Sequence, residues 1–349
     1  MPPTPALSPS SARFGARPGA AARARAGAAA GAASALLAAA APAGAEPSKL
    51  PPEVGWNYGE METARSAALG GSVRAMATGP TALFYNPASL AAARDYRIEG
   101  LGQIWPEAKR QSYGAAIADS RINPNLAGGV AANYTWQDND GLKRKALDLR
   151  LGLAMPLSDK FFLGAAGRYV RILQEGLGPL GPSYASGGRP DDPLVQQFTF
   201  DAGLSIRPSG MFGIGLVGNN LTFPGHGFLP TTIGGGVGVS PGEGLTLEGN
   251  VLADLTTYDR TTWRASGGAE FVAAERFPLR LGYRFDEGQK SHAIGGGVGY
   301  SDAQFGVALT VRRTVAGEAA TTVVFGLEFL LETPSPGTVI PPSPGSMTP

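Results

Sequence analysis

Between Tyr96 and Leu331 the side chains alternate, apolar then polar or small, in about fourteen segments of about eight to twelve residues. Successive side chains of a β-strand point to opposite faces, so this period of two predicts strands. Over residues 146–155 one face carries Leu147, Leu149, Leu151, Leu153 and Met155, and the other Asp148, Arg150, Gly152 and Ala154. Over residues 196–207 Phe198, Phe200, Ala202, Leu204 and Ile206 oppose Gln197, Thr199, Asp201, Ser205 and Arg207. Leu279, Leu281, Tyr283 and Phe285 oppose Arg280, Arg284 and Asp286. The last segment sets Val323, Phe325, Leu327, Phe329 and Leu331 against Thr322, Gly326 and Glu328. Proline cannot donate to a strand ladder. Pro106, Pro124, Pro156, Pro179, Pro182, Pro190, Pro193, Pro208, Pro224, Pro230, Pro241 and Pro278 are all expected between segments. The pattern is that of a long antiparallel meander.

A soluble sandwich alternates as a membrane barrel does. The polar face carries both signs of charge at segment centres (Arg97, Glu99, Arg150, Asp201, Glu248, Arg264, Glu270, Glu328), which suits either. The connections discriminate. With the first strand rising from the periplasm, those after even strands are short, at 120–123, 156–160, 208–209, 241–244, 273–278 and 301–302. The others are longer, above all 173–195 and 220–230. Short turns on one side and long loops on the other mark outer-membrane barrels, whose strands need roughly nine to eleven residues to cross. The expected fold is therefore all-β: a transmembrane antiparallel β-barrel of about fourteen strands over residues 96–332, set in outer-membrane lipid.

Composition narrows the chemistry. Charged residues are 16% and the net charge is +1, which gives no reason to expect a nucleic-acid partner. The chain has no cysteine and only two histidines, His226 and His292, both expected in outer loops, 220–230 and 287–292. No metal site, cofactor or catalytic group is expected, and Asp191–Asp192 lacks the alternating oxygen ligands of a cation loop. The Gly234–Gly236 and Gly295–Gly297 strings lie within strands, not ahead of a helix, so they are not phosphate loops. Small residues there are expected to let another segment approach the wall. Residues 1–45 read as a signal peptide: Arg13, Arg17, Arg23 and Arg25, a weakly apolar run, then Ala43-Gly44-Ala45. Residues 333–349 form a Pro-rich tail expected to be disordered.

Residues 46–95 do not alternate. Gly70-Gly71 marks a turn, Asn86 suits a helix N-cap and Pro87 the first helical position. This stretch is too short to fold alone and must lean on the barrel lumen. The run Leu69-Gly70-Gly71, then Ala82-Leu83-Phe84-Tyr85-Asn86-Pro87-Ala88-Ser89-Leu90 ahead of a barrel, resembles the FadL-type long-chain fatty acid transporter superfamily. That superfamily includes the PorV-type barrels that serve type IX secretion. The resemblance implies an N-terminal hatch that plugs the lumen, with Gly70, Gly71, Asn86, Pro87 and Ala88 in its motif. Residues 278–284 look more like the secretion-associated branch.

Two functions follow. One is passive uptake of a hydrophobic ligand, for which the third and fourth outer loops of the resembled transporters form an apolar access groove. Leu221, Phe223, Phe228 and Leu229 in the 220–230 loop are the candidate ligand contacts. The same side chains would equally serve to cap the barrel mouth. The other function is a non-transporting scaffold for a secretion-system or surface protein partner.

Overall fold

The computed structural model describes residues 61–138, 143–176, 193–225, 227–242 and 244–331 of the chain. The expectations for residues 1–60, the 332–349 tail, His226 and Asp191–Asp192 fall outside these.

Fourteen strands form one closed antiparallel barrel. The first seven are β1 (Tyr96–Trp105), β2 (Arg110–Asp119), β3 (Ala127–Gln137), β4 (Arg144–Pro156), β5 (Phe161–Gln174), β6 (Val195–Ser209) and β7 (Phe212–Asn219). The rest are β8 (Thr232–Gly242), β9 (Leu245–Asp254), β10 (Thr262–Ala273), β11 (Phe277–Asp286), β12 (Ser291–Ser301), β13 (Phe305–Ala316) and β14 (Thr321–Leu330). Each pairs with the next, and β1 pairs with β14 from Arg97–Leu330 to Ile104–Val323 to close the ring. At one rim Glu107 of the β1–β2 loop accepts hydrogen bonds from Thr321 N at 2.9 Å and Thr321 Oγ1 at 2.7 Å. Among the described residues no helix is long and apolar enough to cross a membrane.

The alternation sorts into an apolar outside and a polar inside. Leu151 is 58% exposed on the outer face while its neighbours Arg150 and Gly152 are buried. Two outward aromatic clusters flank the apolar band. Tyr113 and Trp136, with ring centroids 5.2 Å apart, sit near the long-loop rim. Tyr300, within 5.7 Å of the Phe277 and Phe305 rings, sits at the short-turn rim. Amphipathic rings at both edges of an apolar band are the usual marker of a bilayer interface.

Four prolines depart from expectation, because Pro156, Pro208, Pro241 and Pro278 lie inside strands. Each is at or next to a strand end. The registers slip between Ile206 and Ser209 and between Val239 and Gly242, around Pro208 and Pro241. A bulge or strand terminus needs no donor at that position, which is why proline is tolerated there.

Residues 61–93 run along the inside of this wall. Helix α1 (Ala64–Ala68) starts in a reciprocal cap: Thr63 Oγ1 accepts from Ser66 N at 3.2 Å, and Ser66 Oγ accepts from Thr63 N at 2.9 Å. It stops at Gly70 and Gly71, both left-handed (φ 66° and 86°), with Gly71 N bonded back to Ser66 O. Helix α2 (Gly79–Tyr85) follows, then a 3₁₀ helix over Pro87–Ala92. Asn86 caps the latter, its Oδ1 accepting from Ala88 N at 3.2 Å.

Candidate functional site

The lumen is built where this segment meets the wall, and glycine makes the meeting possible. The wall turns glycines inward at Gly152, Gly164, Gly203, Gly268, Gly282 and Gly295. A Cβ on Gly152 would fall 2.6 Å from Leu83 Cδ1, and one on Gly295 would fall 2.6 Å from Ala67 O. Gly164 and Gly282 face the backbones of Ala88 and Leu69. From the segment's side, a Cβ on Gly70 would fall 2.7 Å from Tyr283 O, so both its φ and its space demand glycine. The expectation that the two glycine strings serve this approach holds for Gly295 and Gly297. Gly234 and Gly236 face side chains of the neighbouring strand instead, Leu252 and Asn250.

Polar anchors from strands around the ring satisfy the segment's backbone. Thr310 Oγ1 donates to Ala64 O at 2.7 Å, Asn250 Nδ2 to Gly71 O at 3.1 Å and Arg207 Nη2 to Ala77 O at 2.8 Å. Glu248 accepts from the amides of Ala75 (2.6 Å) and Met76 (3.2 Å). Asn86 Nδ2 reaches Arg74 O and Leu204 O at 3.0 and 3.2 Å. Glu62, fully buried, meets Arg312 and lies 3.7 Å from Arg284. A buried backbone group without a partner is costly, so these bonds fix the segment's path.

At the long-loop end, residues 220–231 fold over the mouth. The four candidate ligand residues do not come together. Leu229 is fully buried against Ala146, Val170, Ile172 and Val195, with Phe228 packed beside it under Arg144, whose guanidinium carbon is 5.0 Å from the ring. Leu221 and Phe223 point outward, Phe223 being 61% exposed. A hydrogen bond from Leu221 N to Phe200 O at 2.8 Å sets them beside the outward Phe198–Phe200 pair. Left-handed Asn220, Phe223 and Gly225 make the reversals that separate the two pairs. Below Phe228 is a small cavity of about 30 Å³, also lined by Met61, Trp105, Val170 and Asp148.

Trp105 has no place among the sequence-predicted contacts. It is buried, with the Arg110 guanidinium 3.8 Å over its ring. Its parity with Glu99 and Gln103 on β1 was a usable signal, since that parity sends it inward. His292 corrects an expectation. It lies in β12 rather than in an outer loop, sharing a 2.6 Å hydrogen bond with Tyr283 Oη, because β12 starts at Ser291 directly after a tight 287–290 turn. Among the described residues no cluster of three or more His, Cys, Asp or Glu is placed to hold a metal.

At the short-turn end the wall and the segment leave a larger cavity of about 320 Å³. Glu270 takes Arg65 at 3.1 Å and Arg280 at 2.6 Å, and Arg97 takes Asp95 at 2.6 Å and Glu328 at 2.9 Å. Glu99 also faces this space.

No protein-family model matches the sequence, and no curated protein does. Solved structures do match in fold. The CymD monoaromatic hydrocarbon channel superposes with a TM-score of 0.60 at 12% identity, covering 80% of this chain and 99% of that one. The toluene transporter TbuX of Ralstonia pickettii gives 0.57 at 14%, covering 78% and 99%. The toluene transporter TodX of Pseudomonas putida gives 0.53 at 14%, covering 78% and 98%. A FadL homologue of Pseudomonas aeruginosa gives 0.51 at 13%, covering 77% and 97%. The chain has the fold of a FadL-type outer-membrane β-barrel.

Proposed function

We propose that this protein is an outer-membrane channel for passive uptake of hydrophobic small molecules, with residues 61–93 as its plug and the short-turn rim in the periplasm. The observation that carries the reading is the 220–231 loop. It places an outward apolar pair, Leu221 and Phe223, and an inward pair, Phe228 and Leu229, on one strap across the mouth of a barrel. An apolar solute reaching the outer face meets the first pair, and the second lies between it and the lumen. Neighbours in fold that carry toluene or monoaromatic hydrocarbons support the same class of solute here.

The described state is closed. The cavity beneath Phe228 is about 30 Å³, far below the ~300–1,000 Å³ of ligand sites, so passage requires the plug to shift. A passive channel needs no cofactor and no catalytic group. The alternative, a scaffold for a secretion or surface partner, rests on the 278–284 resemblance alone. The test is toluene uptake by proteoliposomes that hold the purified barrel and carry a lipopolysaccharide outer leaflet, since a simple phospholipid bilayer passes toluene unaided. Uptake faster than in protein-free liposomes is expected, and equal rates would remove the channel reading.

A further inference from the structure

The cavity at the short-turn end has a charge imbalance that the uptake reading leaves unused. Three arginines, Arg65, Arg97 and Arg280, are committed to Asp95, Glu270 and Glu328. Glu275 also lines the cavity but is solvent-exposed, so Glu99 is the buried carboxylate left over. It is 8% exposed, lines the cavity and, among the described residues, accepts no hydrogen bond and makes no ion pair. It also stands directly opposite Glu328 in the β1–β14 register, a like-charge pairing that opposes closure of the ring. A largely buried carboxylate without a hydrogen-bond donor is expensive, and Arg97 and Arg280 attract Glu99 only from beyond ion-pair distance.

We propose that this cavity binds a small organic cation, its primary ammonium group held between Glu99 and Glu328. An ammonium brings three donors and a positive charge, which answers both the missing hydrogen bonds and the like-charge pair. A lone hard cation fits less well: calcium takes six to eight oxygens, roughly, and no metal-type cluster is present among the described residues. Size points the same way, because about 320 Å³ greatly exceeds the ~10–15 Å³ that one water needs. The remaining wall offers Val272 and Pro278, an apolar shelf for an alkyl stem.

The test is calorimetric titration of the detergent-purified barrel with n-butylammonium chloride, with n-butanol and potassium chloride as controls. Saturable binding of butylammonium alone is expected, weakened at least tenfold in Glu99→Gln and largely retained in Glu99→Asp. A second measurement needs no variant. In the unaltered protein, butylammonium should slow carbodiimide modification of Glu99, read by mass spectrometry, and butanol should not. Absence of saturable binding, equal binding by Glu99→Gln, potassium binding as well as the amine, or unprotected Glu99 would each overturn the proposal. None of these outcomes bears on toluene uptake, so the two readings fail separately.

Discussion

Two adjacent positions show how the faces of the wall differ. Leu151 and Gly152 are adjacent on β4, yet one lies on the outer face and the other faces Leu83 and Leu90 of the inner segment. Leu151→Arg puts a charge in the apolar band and is expected to cost about 2–4 kcal/mol of barrel stability. Gly152→Ser has a different fault, since the new Cβ would meet Leu83 Cδ1 at 2.6 Å. The barrel should survive this change while the inner segment moves. Urea titration of heat-modifiable gel mobility should fall for Leu151→Arg only, and protease cleavage within residues 61–93 should rise for Gly152→Ser only. Equal loss of barrel stability in both would contradict the assignment of faces. Alternation alone made the facing of Gly152 legible. It did not show that this lumenal position lacks room, because Leu83, which fills the space, lies about seventy residues earlier in the chain, and parity carries no information about such distant contacts.

Elements read out of the sequence to the degree that their pattern was local. Strands were legible because period two is local, and the Asn86–Pro87 start was legible because capping is local. The 220–231 loop was only half legible. Four large apolar residues marked it, but which pair turns inward depends on left-handed Asn220 and Phe223; asparagine favours that region, whereas nothing in a phenylalanine announces it. The division gives a prediction at the scale of the loop. Leu221→Ser with Phe223→Ser removes the outward pair and leaves the buried cluster around Leu229 intact, and should slow toluene uptake with little change in barrel stability. Phe228→Ala with Leu229→Ala vacates the packing on Val170 and Ile172. It should widen the mouth, raising uptake or single-channel conductance. Identical behaviour of the two variants in liposome uptake would show that the strap does not divide into two roles. The polar anchors of the inner segment were the least legible part. Glu248 and Thr310 look like ordinary lumenal residues until residues 64–76 are placed against them.

For the whole molecule the sidedness is the first thing to establish. The 255–261 loop lies at the rim opposite the 157–160 turn. An epitope inserted after Asp259 should be labelled on intact cells, and one inserted after Ser158 only after permeabilisation; the reverse pattern would invert the proposed orientation. Closure has a further consequence, which concerns how the chain reaches its fold. The ladder that shuts the ring joins Arg97 to Leu330, the two ends of the barrel sequence. Until β14 is present, any partial sheet has two open edges, and each is a template for pairing with another chain. Each earlier pairing is a hairpin contact, made early and cheaply, whereas this one must close the longest loop in the molecule. Folding is thus expected to be limited by its final seam. A chain arrested before β14 is expected to be a sticky, open sheet that pairs with other chains until its last strand arrives.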